Sequence, residues 1–347
     1  MLILGLETSC DETAAAVVDA RRRVLSSVVA SQTDLHAEYA GVVPEIASRA
    51  HAERILPVVR ETLAQAGVGL GMLSAVAVGH RPGLIGSLVV GVSAAKALAW
   101  SLSLPLIGVD HVHAHLYAGA LDSDDAPLFP ALGLVVSGGH TSLYELPNWL
   151  SPRRLGGTID DAMGEAYDKA AAILDVPFPG GPNLDRLAAT GNERAADLPV
   201  SRLGKDSLDF SFSGLKTALL YAARGVPGER APAPPPPLDD RRRADLAASF
   251  QRAASRAITI KLERALELAS QRGVRYTSLL TGGGVTANSR LRTELATFAA
   301  TRGLRLVLPP VHLCVDNAAM IAGLAHEALR AGATSDLTLR AVPTAGV

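Results

Sequence analysis

Three things are scarce in this chain of 347 residues: cysteine, an excess of charge of either sign, and uninterrupted apolar sequence. The two cysteines, Cys10 and Cys314, lie far apart. Two thiols cannot staple a chain of this size, which excludes a disulfide scaffold and points to a reducing compartment. The 33 basic and 34 acidic residues leave a formal net charge of -1. Bulk charge therefore gives no attraction to nucleic acid or an acidic membrane, and any such contact must be a local patch. Lysine occurs only at Lys96, Lys169, Lys205, Lys216 and Lys261. The skew toward arginine, with abundant alanine and proline, reads as genome composition as much as function. The longest apolar stretch, residues 84–104, is interrupted by Gly86, Ser87, Gly91, Ser93, Lys96, Ser101 and Ser103. No bilayer-spanning run is expected. The opening MLILGLETSCDET has no basic leader and turns polar early. It reads as a first strand, not a secretion signal, and a cytoplasmic protein with no membrane partner is expected.

What is present is core-forming material. Hydrophobic residues make up 48% and charged residues 19%, which excludes disordered, collagen-like and fibrous classes. At roughly 100–200 residues per domain, the length allows two or three domains. Residues 2–7, 14–19 and 24–31 read as short strands, with turns at 11–13 and 21–23. A helix over 45–66, a strand over 75–79, a helix over about 85–101, a strand over 106–109 and a helix over 111–120 follow. Polar residues 122–127 mark a domain boundary. A second hairpin, 131–136 and 141–146, turns at Ser137-Gly138-Gly139-His140. Helical pattern covers 243–272, a strand ends at Leu279-Leu280, and 317–331 reads as a last helix. The proline-rich run 231–237 reads as a surface loop, because helical pattern resumes after it. The two halves echo each other: strand, tight turn, strand, later helices. Such turns expose backbone N–H groups suited to phosphate oxygens, and two facing hairpins are the plan of actin-like nucleotide-binding proteins. Two ordinary α/β domains with unrelated hairpins fit the pattern equally at this level.

The segment His111-Val112-His113-Ala114-His115 carries imidazoles four residues apart. On a helix His111 and His115 share a face one turn apart and can present two nitrogens to one divalent metal, while His113 points elsewhere. On a strand all three would share a face. A bare pair also reads as satisfied core or surface histidines. The pair lacks the Glu of His-Glu-x-x-His, which removes the general base of a zincin-type peptidase. Asp316 precedes the last helix and is either a third ligand or an N-cap, the role that local sequence favours. Glycine-rich turns at 137–141, 178–185 and 281–288 allow φ > 0 and close approach of an anion. Each also reads as a plain turn or helix entry, with Asp185 in a first helical turn. There is no Gly-x-Gly-x-x-Gly and no P-loop Gly-Lys-Ser/Thr. Asp161, Glu165 and Asp168 are spaced to lie near one helical face. Asp168 reads as partly buried and in need of a partner, such as a ligand hydroxyl or amine.

Taken in order, Glu7-Thr8-Ser9-Cys10-Asp11-Glu12-Thr13, 43–51, 111–115, 137–141, 160–169, 179–182, Phe210-Ser211-Phe212-Ser213-Gly214-Leu215-Lys216-Thr217, 283–288 and 314–321 resemble the tRNA N6-adenosine threonylcarbamoyltransferase family (TsaD/Kae1/Gcp). The resemblance implies the α/β superfold of actin, Hsp70 and sugar kinases. Two actin-like (ribonuclease H-like) domains would face each other across a nucleotide-binding cleft, one of 1–127 plus about 318–347 with a returning C-terminal helix, the other of 128–317. It implies one divalent metal ion per chain, iron(II) or zinc, on His111, His115 and Asp316. It implies a substrate site lined by Val135, Val136, Ser137, Gly138 and Gly139, joined by Asp168, Gly181, Asp185 and Asn288. The implied reaction moves threonylcarbamoyl from threonylcarbamoyl-AMP to the exocyclic amine of the adenosine 3′ of the anticodon, in tRNAs reading codons that begin with A. The implied partners are tRNA, threonylcarbamoyl-AMP or another adenine nucleotide, a paralogous dimerisation partner and a P-loop ATPase of the same pathway. No covalent nucleophile is required and none is named; Asp11 and Glu12 on the first hairpin are candidates to assist.

The chain departs from the family in three places, one being the proline-rich insertion 231–237, which matches no family motif. The usual Gly-Pro-Gly-Leu is here Arg81-Pro82-Gly83-Leu84, and Gly282 stands where Ala is common. Arg81 reads as a charge for tRNA or partner contact, or as an altered surface turn. Three rival readings stand beside the transferase. An ATPase or small-molecule kinase of the same superfold has no use for the histidine pair. A metallopeptidase lacks its glutamate. A non-enzymatic scaffold would be expected to lose the His111, His115 and Asp316 set.

Overall fold

The computed structural model describes residues 1–37, 42–123, 128–226 and 237–344. Residues 124–127 of the expected boundary and 231–236 of the proline-rich run lie outside the described residues. The chain forms two compact units. Met1–Pro127, Trp149–Ser151 and Pro309–Val347 make the first, and Leu128–Asn148 with Pro152–Leu308 the second. The returning segment thus begins at Pro309 rather than near residue 318, and Asp316 belongs to the unit that carries His111 and His115.

The first unit opens with β1 (Leu2–Glu7), β2 (Glu12–Asp19) and β3 (Val24–Ser31), followed by α1 (Thr33–Ala37), α2 (Pro44–Ala66), β4 (Ala75–Arg81), α3 (Ile85–Leu102), β5 (Leu106–Asp110) and α4 (His111–Tyr117). The sheet order is β3-β2-β1-β4-β5. β1 is antiparallel to β2 and parallel to β4. Helices cover both faces of this sheet, which is why β1 and β2 are apolar nearly throughout instead of alternating. Successive side chains point to opposite faces: Ile3 packs with Ala114 and Ile321, whereas Leu4 and Leu6 pack with Ile55 and Val92.

The second unit contains β6 (Ala131–Val136), β7 (Thr141–Leu146), β8 (Arg153–Gly157), α5 (Met163–Ile173), α6 (Gly180–Ala188), α7 (Ser213–Arg224), α8 (Asp240–Gln271), β9 (Ser278–Gly282), α9 (Ser289–Arg302) and β10 (Arg305–Val307). Its sheet order, β10-β9-β6-β7-β8, repeats the first. The central strand again carries an antiparallel hairpin on one side and a parallel strand on the other. The echo between the sequence halves is therefore a repeat of topology. The last helix, α10 (Ala318–Arg330), packs back on β1. A Cβ on Gly5 would lie 2.4 Å from the Ala318 carbonyl oxygen, so that approach requires glycine.

Among the described residues one helix, α3, is long and apolar enough by composition to cross a membrane, with a mean hydropathy of 1.5. One face, with Val92, Ala95 and Ala99, is buried in the core with Leu4 and Val76, while Ile85, Val89 and Trp100 on the other face are exposed.

Candidate active site

Helix α4 has only seven residues, so its own hydrogen bonds supply little of its order. Asp110 fixes its start: Oδ1 accepts from Val112 N at 3.0 Å and His113 N at 3.1 Å. His111 and His115 then emerge one turn apart, with ring centroids 4.6 Å apart and planes at 82°. Both are buried, whereas His113 is 24% exposed and lies nearer Asp110. The cap that local sequence assigned to Asp316 belongs to its neighbour, because Asn317 Oδ1 accepts from Met320 N at 3.0 Å. Asp316 is left to face the histidines, with Oδ1 at 3.5 Å from His111 Nε2 and 3.2 Å from His115 Nε2. One donor atom from each of the three residues lies within 4.8 Å of the others.

Behind His111 stands Glu7, fully buried at the end of β1. Its Oε2 lies 3.1 Å from His111 Nδ1, and its Oε1 accepts from Ser9 N at 2.5 Å. Ser9 Oγ is 3.2 Å from the same imidazole nitrogen. A Cβ on Gly79 would meet Glu7 Oε2 at 2.4 Å, so that glycine makes room for the carboxylate. Burial lowers the pKa of His111, but the charges of Glu7 and Asp316 outweigh it and raise the group well above its ordinary value. Burial lowers His115, which Glu7 does not touch, despite its contact with Asp316. Burial would raise Asp316, but the two histidines outweigh it and hold the carboxyl well below the usual carboxylate range. Two carboxylates thus converge on two imidazoles, and positive charge is favoured among them.

This set fits a divalent cation. Nδ1 of buried His115 has no hydrogen-bond partner, and its Nε2 meets only the Asp316 carboxylate at 3.2 Å. Two imidazoles and a carboxylate suit the zinc or iron class, and a carboxylate behind a ligating imidazole is the usual outer shell. On the adjoining turn, burial, then the charges of Asp316 and Asp11, push Glu12 up to about 9. Burial likewise raises the Cys10 thiol, which removes its thiolate character.

The other predicted residues lie in the second unit. Val135 and Val136 are fully buried in β6, so only their backbone can face a ligand. Ser137 N donates to His140 O at 2.7 Å and closes the turn. Gly138 and Gly139 have no positive φ, and a Cβ on either would meet nothing within 4 Å. The turn does not use the φ > 0 expected of these glycines; they contribute open space. The glycine that the geometry demands is Gly283, with φ +94 and a Cβ position 2.4 Å from Val136 O. It seats the end of β9 against the turn. On another side Gly164 N and Glu165 N donate to Ser137 O and Gly138 O, at 3.2 Å each.

Asp168 is exposed as a residue, because α5 turns Ala166, Tyr167, Ala170 and Ala171 to the core, but its carboxyl is drawn in against Gly180, and burial raises its pKa above the ordinary value. Its Oδ1 accepts from Gly181 N at 3.2 Å. Lys169 Nζ bridges Asp161 at 2.6 Å and Glu165 at 2.7 Å, so those two acids form a paired surface network separate from Asp168. Asp185 lies in the second turn of α6, not the first. It accepts from Gln251 Nε2 at 2.7 Å, Ser289 Oγ at 2.8 Å and Ser289 N at 2.9 Å. Asn288 caps α9 through Leu291 N at 2.9 Å and meets Gln251 Nε2 at 3.4 Å. Asp185, Gln251 and Ser289 line a cavity of about 250 Å³.

Sequence reasoning missed Glu7, Asp110 and Gln251 as working parts of these sites, and it named the 281–288 turn without saying which of its glycines the backbone requires. A carboxylate closing a buried apolar strand was a signal for Glu7, and an aspartate before a helix one for Asp110. Gln251 gave none, since only packing shows which face of α8 is buried.

The model of the family described as tRNA N6-adenosine threonylcarbamoyltransferase matches residues 23–323. A curated relative of that name from Symbiobacterium thermophilum is 52% identical over 347 residues, covering 100% of this chain and 97% of its own. Another of that name, from Anaeromyxobacter dehalogenans, is 49% identical over 344 residues, covering 98% of each. Among solved structures, HypF from T. kodakarensis has a TM-score of 0.59 at 17% identity, over 95% of this chain and 48% of that one. The match spans about half of HypF and is a likeness of fold alone, which places the chain in the actin-like α/β class.

Proposed function

The chain belongs to the tRNA N6-adenosine threonylcarbamoyltransferase family, and from that premise we propose how it acts. It transfers a threonylcarbamoyl group to a tRNA adenosine. The donor is threonylcarbamoyl-AMP, and the acceptor is the exocyclic amine of the adenosine 3′ of the anticodon in tRNAs reading codons that begin with A. The C–N bond to the amine forms as the C–O bond to AMP breaks, and one amine proton leaves. AMP is a good leaving group, so no covalent nucleophile is needed.

The observation that carries the site is the convergence of His111, His115 and Asp316 within 4.8 Å. When bound there, a divalent ion of the iron or zinc class supplies fixed positive charge and Lewis acidity for the acyl-adenylate. Glu7 and Ser9 engage Nδ1 of His111, which leaves Nε2 directed to Asp316. In the second unit the backbone of Val135 to Gly139 receives the anionic part of the nucleotide, and the open space at Gly138 and Gly139 lets it approach closely. Asp168, Gly181, Asp185 and Asn288 complete the second unit's set, with Gln251 keeping Asp185 and Asn288 in register. Asp11 and Glu12 assist from the first hairpin; full transfer by both Asp11→Ala and Glu12→Ala would remove them.

The reading includes a cytoplasmic location, a paralogous dimerisation partner and a P-loop ATPase. Ile85, Val89 and Trp100 of α3 are 50%, 48% and 74% exposed and share one face of the helix with the partly exposed Lys96, a face that the paralogous partner would cover. A kinase or ATPase is not favoured, since phosphoryl transfer has no need of the histidine pair. The test is reconstitution with those partners and threonylcarbamoyl-AMP, followed by mass spectrometry of the tRNA nucleosides. Modified adenosine is expected with the native chain and none with His115→Ala. Sugar phosphorylation without tRNA modification would overturn the reading.

A further inference from the structure

Arg81 stands where the family usually has glycine, and the site described above gives it no role. Its Nε lies 3.1 Å from Asp110 Oδ2. The Asp110 side chain is 8% exposed, and its other oxygen, Oδ1, already accepts from Val112 N and His113 N. One carboxylate therefore ties the end of β4 to the start of α4. Arg81 is itself fixed. It pairs in register with Asp110, and the C-terminal segment straps the turn around it. Val342 N donates to His80 O at 2.9 Å, and Gly83 N donates to Pro343 O at 3.2 Å. His80 Nδ1 lies 3.0 Å from Arg340 O. The guanidinium is thus presented from an ordered backbone.

We propose that Arg81 is a positioning residue for the metal centre: by holding Asp110 it sets the cap of α4, and with it the aim of His111 and His115 at Asp316. The inference rests on the metal-centre reading. A two-turn helix takes its orientation from what grips its ends, and metal–ligand distances tolerate only about 0.2 Å. A carboxylate this enclosed that lost its counter-ion would turn toward water or another donor, and its two cap bonds would turn with it. The contact is a single one, from Nε to Oδ2, at a fixed place along the arginine side chain, and a lysine ammonium restores the charge there but reproduces the geometry only in part. The side chain is 39% exposed and only Nε meets Asp110, so a direct tRNA contact through the terminal nitrogens is the competing reading that the test below separates.

The test uses the full chain, stripped of metal and titrated with Zn²⁺ against a chromophoric chelator, with melting curves alongside. Arg81→Ala and Arg81→Gln should melt close to wild type yet bind Zn²⁺ about tenfold more weakly, the scale of outer-shell losses. Arg81→Lys should recover part of the affinity. Asp110→Asn keeps the cap oxygen without the charge, and adding Arg81→Ala to it should cost nothing further. Should Arg81→Ala not fold, Arg81→Gln carries the comparison. Wild-type Zn²⁺ affinity in the Arg81 variants, with binding abolished in His115→Ala, overturns the inference alone. Unchanged binding in His115→Ala overturns the metal-centre reading and the inference with it. Weaker tRNA binding by Arg81→Ala at unchanged Zn²⁺ affinity assigns the residue to tRNA and also overturns it.

Discussion

Replacing Gly283 by alanine adds one carbon where the end of β9 packs against the backbone of β6 in the second unit. The backbone there has φ 94 and ψ 156, a region essentially reserved for glycine, where another residue costs about 1–3 kcal/mol. The new Cβ would lie 2.4 Å from Val136 O and 3.1 Å from Ser137 N. Neither atom can swing aside as a side chain would, because Val136 is locked in β6 by its pairing with Thr141. Overpacking of this kind costs about 1–3 kcal/mol more. Gly283→Ala should therefore destabilise the second unit by about 2–6 kcal/mol and move the Ser137–Gly139 turn. Trp100 and Trp149 both lie in the first unit, so tryptophan fluorescence does not report on this change. Hydrogen exchange does: amides of β6 and β9 should lose protection by that amount, with the strands of the first unit as internal reference. A loss below about 0.5 kcal/mol, the scale of an ordinary surface substitution, would show that the backbone at Gly283 is not as confined as this packing requires.

Three further outcomes follow from the same structure. His115→Ala should abolish bound metal, read by elemental analysis, because Asp316 and His111 alone make an incomplete donor set; unchanged metal content would refute the assignment. Asn288→Ala removes the α9 cap and a partner of Gln251, for a stability loss of about 1 kcal/mol. It should also weaken AMP binding by about 1–3 kcal/mol in calorimetry; unaltered binding would remove Asn288 from the nucleotide site. Asp160 accepts from Ser211 Oγ, Ser213 Oγ and Phe212 N at the start of α7. Burial raises its pKa, but these bonds outweigh it and lower the group below its ordinary value. The folded carboxyl is then the stronger acid, so its contribution is complete above the unfolded value near 3.9 and fades as pH falls through the folded one. Asp160→Ala should lose about 1 kcal/mol in urea unfolding above pH 5, with the gap to wild type closing below pH 4. A gap independent of pH would contradict the ionic bond.

The sequence by itself determined the elements and the repeated plan. Apolar runs marked β1, β2, β4, β5, β6, β7 and β9, and period marked α2, α3 and α8, because deep burial leaves no other residue type workable in those strands and helix faces, and β3 was marked by the turn at 21–23 and its β-branched residues. Four-residue spacing put His111 and His115 on one face as soon as the segment was helical. The edge strands β8 and β10 escaped, being short and little buried, and so did α7 among polar residues, while α6 was legible only as a possible helix entry at its glycines. Only the tertiary structure decided between cap and ligand at Asp316, since the choice depends on Asn317 taking the cap and on a histidine pair some two hundred residues earlier in the chain. It alone showed that Gly283, not Gly138, is sterically required, because the clash is with Val136, which is remote in sequence. It alone gave Arg81 a partner in Asp110. Local sequence encodes which surfaces want burial and which turns the backbone permits; which two distant groups meet is set by how the sheets and helices pack, and no periodicity carries that information.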